Sequence, residues 1–188
     1  MTTVVLPHSH AFDWFKDEVD RARSRTGVHL ADETTLYIAQ MLADRVRADR
    51  AASDDTTLAE MHGLAANAAP GAQARLYREL GDRSLTALGL FRPYVERKTV
   101  GPAYYADMGA AAYARADDVF KRWFGDAFGV VFAELARKFL SCVELLDAVR
   151  ADRRRRSLDL ADLARGLALG EDPDPRIAAL LLHKPGSA

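Results

Sequence analysis

The sequence has few of the residues that define several large protein classes. It has 188 residues with a single cysteine, and no apolar run approaches the roughly 20 residues that a membrane-spanning helix needs. One cysteine, Cys142, excludes an intrachain disulfide framework and a cysteine-based zinc site. The formal net charge of -1 excludes a strong overall attraction to polyanions.

Signatures of the common enzyme classes are also missing. The sequence contains no phosphate-binding glycine-rich loop, no dinucleotide fingerprint and no Gly-x-Ser-x-Gly nucleophile motif. Helical dimetal sites use Glu-x-x-His pairs, whereas here His62 follows Glu60 by only two residues. Cys142 lies beside Val143 on an apolar helix face, which is typical of an inert core thiol. We therefore expect no catalytic residues of these kinds and no metal site.

Helix-forming residues, by contrast, are abundant. The chain contains 34 alanines and 21 arginines but only 2 isoleucines, so strand-favouring residues are sparse. Apolar residues recur at three- and four-residue spacings, and no useful alternating strand pattern occurs. The sequence predicts a compact, single-domain, all-α bundle of about seven or eight helices. We expect the main bundle over 1–150 and a C-terminal helical extension over 151–188 that packs on it.

Glycine and proline indicate the helix boundaries. Gly27 is predicted to end the first helix. Pro70 fits the first position of a long helix that runs to about Phe91, where Pro93 is predicted to stop it.

Apolar stripes indicate which side chains face inward. The cleanest stripe runs over 128–149 and predicts one central core helix. Leu64 and Trp123 belong to the stripes of two other helices, so we expect both to be buried.

Two glycines, Gly81 and Gly89, lie inside the long predicted helix. Each costs about 1 kcal/mol relative to alanine, which indicates a bend or the close approach of another group. The Gly81–Asp82 pair resembles the heme oxygenase-like proteins, in which a glycine-kinked helix lies over a flat cofactor. Leu85 and Thr86 stand where those proteins carry further glycines. The resemblance implies a pocket for heme or another planar ligand. The alternative interpretation is close helix packing, with Asp82 on a solvated face.

Four tyrosines lie on helix faces that are predicted to point towards one core. If buried they need hydrogen-bond partners, and the candidates are Glu33, Arg75, Asp82 and Asp107. The hypothetical ligand pocket comprises Tyr37, Tyr77, Gly81, Asp82, Tyr105 and Tyr113. The alternative is that the tyrosine rings pack in the core and their hydroxyls reach the surface.

The densest charge cluster follows the central predicted helix. It comprises Arg150, Arg153, Arg154, Arg155 and Arg156. One interpretation is a patch that docks a protein partner or an anion, and another is a solvated helix end that complements the helix dipole. Nucleic-acid binding is the least favoured interpretation, because no helix-turn-helix motif precedes the run.

Two segments of the chain carry a resemblance that supplies no activity. The segments LYRELGDRSLTALGLF and YYADMG resemble a group of uncharacterised bacterial all-helical proteins. The sequence therefore favours a non-enzymatic, cytoplasmic interaction or regulatory protein with a protein partner or a homodimer, and without nucleic acid or a membrane span. The alternative function is a heme-oxygenase-like bundle, an oxidoreductase or a binding protein, with heme or a small planar ligand in an internal pocket.

Overall fold

The computed structural model describes residues 8–48, 56–124 and 129–152, and it confirms the predicted all-α class. These ranges contain seven helices and no strand. The helices are α1 (His8–Thr26), α2 (Asp32–Ala48), α3 (Leu58–Ala66), α4 (Pro70–Val95), α5 (Pro102–Phe124), α6 (Gly129–Arg137) and α7 (139–152). The chain divides into two compact units, Met1–Val149 and Arg150–Ala188. The predicted packing of the C-terminal extension falls largely outside the described residues and stays a prediction.

Local chemistry accounts for several of the helix ends. Gly27 follows α1 with a φ of +68°, a left-handed conformation that glycine adopts without steric cost, and its amide donates to the Arg23 carbonyl at 2.9 Å. Thr57 and Glu60 form a capping box at the start of α3. The Glu60 amide donates to Thr57 Oγ1 at 3.2 Å, and the Thr57 amide donates to Glu60 Oε2 at 2.8 Å.

Two predicted boundaries differ from the structure. The long helix α4 leaves helical geometry at Phe91 (φ -122°, ψ 27°), but it continues for another turn through Pro93 to Val95. A proline is tolerated there because Pro93 lies at the start of the new turn, where its missing amide removes no helical hydrogen bond. The single core helix predicted over 128–149 is instead two helices, α6 and α7, which are separated by a turn at Lys138.

Helical hydrogen bonding nevertheless continues on both sides of that turn. The Lys138 amide donates to the Glu134 carbonyl at 2.8 Å, and the Cys142 amide donates to the Lys138 carbonyl at 2.9 Å. The apolar stripe therefore keeps its register from α6 into α7. Of its described members Val131 is half-buried and the other six are buried, namely Phe132, Leu135, Phe139, Val143, Leu146 and Val149, which confirms the predicted inward face.

The core forms where α4 and α5 pack on each other and on their neighbours. Helix α4 packs against α3 and α5, α5 packs against α6, and α2 packs against both α1 and α6. The largest fully buried apolar side chains are Val19, Ile38, Leu42, Leu80, Leu85, Val95, Tyr113, Leu135, Leu145, Leu146 and Val149.

Leu64 and Trp123 were both predicted to be buried, and both predictions are wrong. Each side chain is 59% exposed. Helix α3 is only nine residues long and buries Met61 and Ala65. Leu64 lies to one side of these two residues on the helix, and this side is left uncovered. Trp123 lies in the last turn of α5, beyond Phe120, whose ring stacks on Phe132 with centroids 5.0 Å apart. The apolar periodicity of α5 thus continues one turn further than the packing does.

Glycines allow α4, α5 and α7 to approach closely. A Cβ atom on Gly109 would overlap the Phe139 ring and would lie 2.7 Å from Ser84 Cβ. A Cβ atom on Gly89 would overlap the Cβ of Leu146. Close helix packing therefore accounts for both glycines, as the alternative interpretation of the sequence expected for Gly89.

We expect Gly89→Ala to lower the free energy of unfolding by about 1–3 kcal/mol, because the new methyl group meets a Leu146 atom that is bonded directly to the backbone. Gly63→Ala is the matched control. Gly63 lies within α3 and nothing lies within 4 Å of the position of its Cβ, so helix propensity should raise stability by up to about 1 kcal/mol. Urea unfolding of both variants measures the difference, and effects of the same sign would contradict the packing argument.

Candidate functional site

The carboxylate of Asp82 joins three helices inside the bundle. Asp82 lies on α4 and is 6% exposed, so the expectation that close helix packing would leave it on a solvated face is wrong. Its Oδ1 accepts a hydrogen bond of 2.7 Å from the Tyr37 hydroxyl on α2 and one of 2.8 Å from the Tyr113 hydroxyl on α5. One carboxylate oxygen therefore links α2, α4 and α5.

Gly81 makes this arrangement possible. A Cβ atom on Gly81 would lie 2.7 Å from two carbon atoms of the Tyr113 ring. Because Gly81 has no side chain, that ring lies directly against the backbone of α4, and its hydroxyl reaches the next residue, Asp82. The glycine is thus explained by a tyrosine of the same chain.

Aromatic rings from α6 and α7 surround the two phenols. The Phe132 ring lies edge-to-face with Tyr37 at a centroid distance of 5.4 Å and stacks on Tyr113 at 6.1 Å. The Phe139 ring also lies 6.1 Å from the Tyr113 ring. The carboxylate therefore lies in an apolar, poorly hydrated environment in which its charge is costly.

Burial raises the pKa of Asp82 from 3.8 to about 6, although the hydrogen bonds from Tyr37 and Tyr113 lower it in part. Glu79 raises the pKa further and Arg45 lowers it, and those two side chains form an ion pair with 2.8 Å between Arg45 Nη2 and Glu79 Oε1. The pKa values of the Tyr37 and Tyr113 phenols are raised well above 10, mainly because the groups are buried and secondly because Asp82 is negatively charged. The phenols therefore remain hydrogen-bond donors, and the group that exchanges a proton near neutral pH is Asp82.

The structure brings together four of the six residues of the hypothetical ligand pocket: Tyr37, Gly81, Asp82 and Tyr113. Tyr77 is buried elsewhere on α4, with its ring 6.0 Å from that of His62. Tyr105 is half-buried, and its ring lies 6.1 Å from that of Tyr104.

Of the four candidate partners, Asp82 is the one that accepts from Tyr37, which is half-buried, and from Tyr113, which is fully buried. The alternative in which the tyrosine hydroxyls reach the surface is therefore wrong for Tyr113. The other three, Glu33, Arg75 and Asp107, are exposed. Arg150 of the proposed arginine patch is half-buried, and Arg153, Arg154, Arg155 and Arg156 lie outside the described residues.

Besides Asp82, the described residues bury three carboxylates that the sequence analysis did not single out, Glu18, Asp117 and Glu134. Glu134 joins two parts of the chain. Its Oε2 accepts from the Ala31 amide at 3.0 Å and its Oε1 accepts from Lys138 Nζ at 2.9 Å, so it holds the α1–α2 connection against α6. Burial acts to raise the pKa of Glu134, but these hydrogen bonds outweigh it and hold the pKa below its usual value. The four-residue spacing of Glu134 and Lys138 is the sequence signal that could have found this pair.

Reactive-thiol chemistry and metal binding have little support among the described residues. Cys142 is a buried free thiol, and burial raises its pKa to about 12, as expected of a core cysteine. In this part of the chain no group of three or more His, Cys, Asp or Glu side chains is placed to hold a metal ion. None of the described helices is long and apolar enough to cross a membrane. A shallow surface depression on α3 is lined by Thr56, Glu60, Gly63, Leu64 and Asn67.

Comparison of the chain with protein-family models, with curated proteins and with solved structures finds no match.

The raised pKa of Asp82 predicts that its contribution to stability falls as the pH rises. Between about pH 4 and pH 6 the folded state binds more protons at Asp82 than the unfolded state, so this residue should lower the free energy of unfolding by up to about 3 kcal/mol over that range. Glu134 acts in the opposite direction, because its pKa is lowered. We therefore expect that, in Asp82→Asn, the free energy of unfolding no longer falls with rising pH because of residue 82, whereas the opposite effect of Glu134 remains. Parallel slopes for wild type and variant in urea unfolding from pH 4 to 7.5 would contradict it.

We expect Tyr113→Phe to lower stability by about 1–3 kcal/mol at pH 7.5, because the ionised Asp82 loses a buried donor. The loss should be smaller at pH 4.5, where Asp82 is neutral, and the pKa of Asp82 should rise further. Tyr77→Phe is the control, since Tyr77 is a buried tyrosine on α4 that packs beside His62. An effect of Tyr113→Phe that does not vary with pH would contradict the assigned hydrogen bond.

Proposed function

We propose that this chain is a non-enzymatic, cytoplasmic interaction module that binds an acidic protein partner at residues 91–100, the α4–α5 connection, which includes the last turn of α4. The observation that carries the proposal is a set of exposed apolar side chains within one short segment. Phe91 and Tyr94 are each more than half exposed, and Val100 follows them at 44% exposure. Exposed aromatic side chains grouped in this way are more typical of binding surfaces than of a solvated loop.

Positive charges surround these apolar side chains. Arg92, Arg97 and Lys98 lie in the same segment with one carboxylate, Glu96. Arg92 Nε is 3.1 Å from Glu96 Oε1, and Lys98 Nζ lies 4.4 Å from the centre of the Tyr94 ring. Two copies of such a surface repel each other, whereas a partner with carboxylates is attracted to it. Tyrosine, phenylalanine and arginine are also the residue types that protein interfaces favour.

The packing around Asp82 weighs against the alternative function, a ligand pocket inside the bundle. The space beside Gly81 is occupied by the Tyr113 ring, and the spaces beside Gly89 and Gly109 are occupied by Leu146 and Phe139. A planar ligand over α4 would have to displace these side chains. The heme-like alternative therefore has less support than a role for Asp82 in organising the bundle.

We expect Phe91→Ala/Tyr94→Ala to abolish partner binding while leaving the fold intact, because both side chains are mainly outside the core. The test is affinity purification of the tagged full chain from its host, with quantification of each co-purified protein. Leu64→Ala is the matched control, since Leu64 is a similarly exposed apolar residue on α3. Recovery of the same proteins in the same amounts with all three chains would contradict the proposed surface.

A further inference from the structure

A second apolar and charged surface runs along the outer face of α6 and α7. Residues spaced by three and four positions share one face of a helix, and the outer stripe so defined comprises Val130, Ala133, Arg137, Leu140 and Glu144. The buried stripe of Phe132, Leu135 and Phe139 lies on the other side of the same helices. Both long apolar members of the outer stripe are therefore held away from the core.

Leu140 has the greatest exposure of the large apolar side chains in the described residues, at 68%, and Val130 is 57% exposed. Unlike the α4–α5 connection, the outer stripe carries one exposed cation, Arg137, and one exposed anion, Glu144. These two residues are seven positions apart, which is about 10 Å along a helix, so they are poorly placed to pair with each other in one chain.

The midpoint between Arg137 and Glu144 falls beside Leu140. If the outer stripes of two copies cross in antiparallel directions at Leu140, Arg137 of each copy lies beside Glu144 of the other. A two-fold axis uses the same patch on both copies, so each favourable contact occurs twice. The stripe is thus complementary to itself in charge, and its most exposed apolar side chain lies at the centre.

From this arrangement we infer that the outer stripe of α6 and α7 is a homodimer interface, in which two copies pack antiparallel about Leu140 with reciprocal Arg137–Glu144 ion pairs. This inference deepens the proposed function as an interaction module and assigns a separate surface to self-association. The second copy covers Leu140 and removes its apolar surface from water. The reciprocal ion pairs set the direction of packing, since parallel helices in register would bring like charges together.

The test is sedimentation equilibrium of the full chain with single and double charge reversals. Arg137→Glu places two carboxylates together at two symmetric points, and Glu144→Arg places two guanidinium groups together. Each single variant should raise the dimer Kd by roughly tenfold or more. The double variant R137E/E144R restores opposite charges and should return the Kd to within about threefold of wild type. Leu140→Lys should leave mainly monomer at concentrations where wild type is a dimer.

Two exposed positions provide matched controls. Arg75→Glu on α4 reverses an exposed charge and Leu64→Lys on α3 places a lysine at an exposed leucine, and both should leave the Kd unchanged. Circular dichroism of each variant checks that the helices are retained. A monomeric wild type, a dimer that persists in both single reversals, or a double variant that fails to recover would each overturn the inference.

The result separates the two proposals. A monomeric wild type that still retains a partner through Phe91 and Tyr94 would overturn the dimer and leave the proposed function intact. A dimer that follows the charge-reversal pattern, without any partner that depends on Phe91 and Tyr94, would do the opposite.

Discussion

The hydrogen bonds from Tyr37 and Tyr113 to the Asp82 carboxylate determine how α2, α4 and α5 can be arranged. A buried carboxylate without donors would be strongly destabilising, so the three helices must keep the positions that bring both hydroxyls to one oxygen. Gly81 is part of the same constraint, because any side chain there would push the Tyr113 ring and its hydroxyl away from α4. Apolar packing favours a bundle of this kind, and the polar contact selects one arrangement of it.

The same contact ties the fold to pH. A carboxyl group with a pKa of about 6 changes charge within the range that cells and their compartments span. Burial favours the neutral form of Asp82, whereas the hydrogen bonds from the two phenols favour the ionised form. Asp82 therefore contributes specificity to the packing at a cost in stability that grows as it ionises.

The two surface regions singled out among the described residues differ in their charges. The α4–α5 connection combines Phe91 and Tyr94 with an excess of cations, which favours a partner of opposite charge over a second copy. The outer stripe of α6 and α7 carries balanced charges around Leu140, which favours a second copy. The two proposed surfaces belong to different helices and share no residue.

Composition and periodicity were sufficient to predict the all-α class, the end of α1 at Gly27 and the inward stripe of α6 and α7, because helix propensity, glycine conformation and side-chain spacing act over a few residues. The tyrosines and Asp82 could be named as a group for the same reason. Which phenols reach Asp82 depends on contacts between residues 31 to 45 positions apart, and Tyr77 and Tyr105 carried the same local signal as Tyr37 and Tyr113. The exposure of Leu64 and Trp123 is likewise decided by contacts with distant parts of the chain. A local pattern shows which face of a helix is apolar, whereas the presence of a neighbour to cover that face follows from how distant parts of the chain pack.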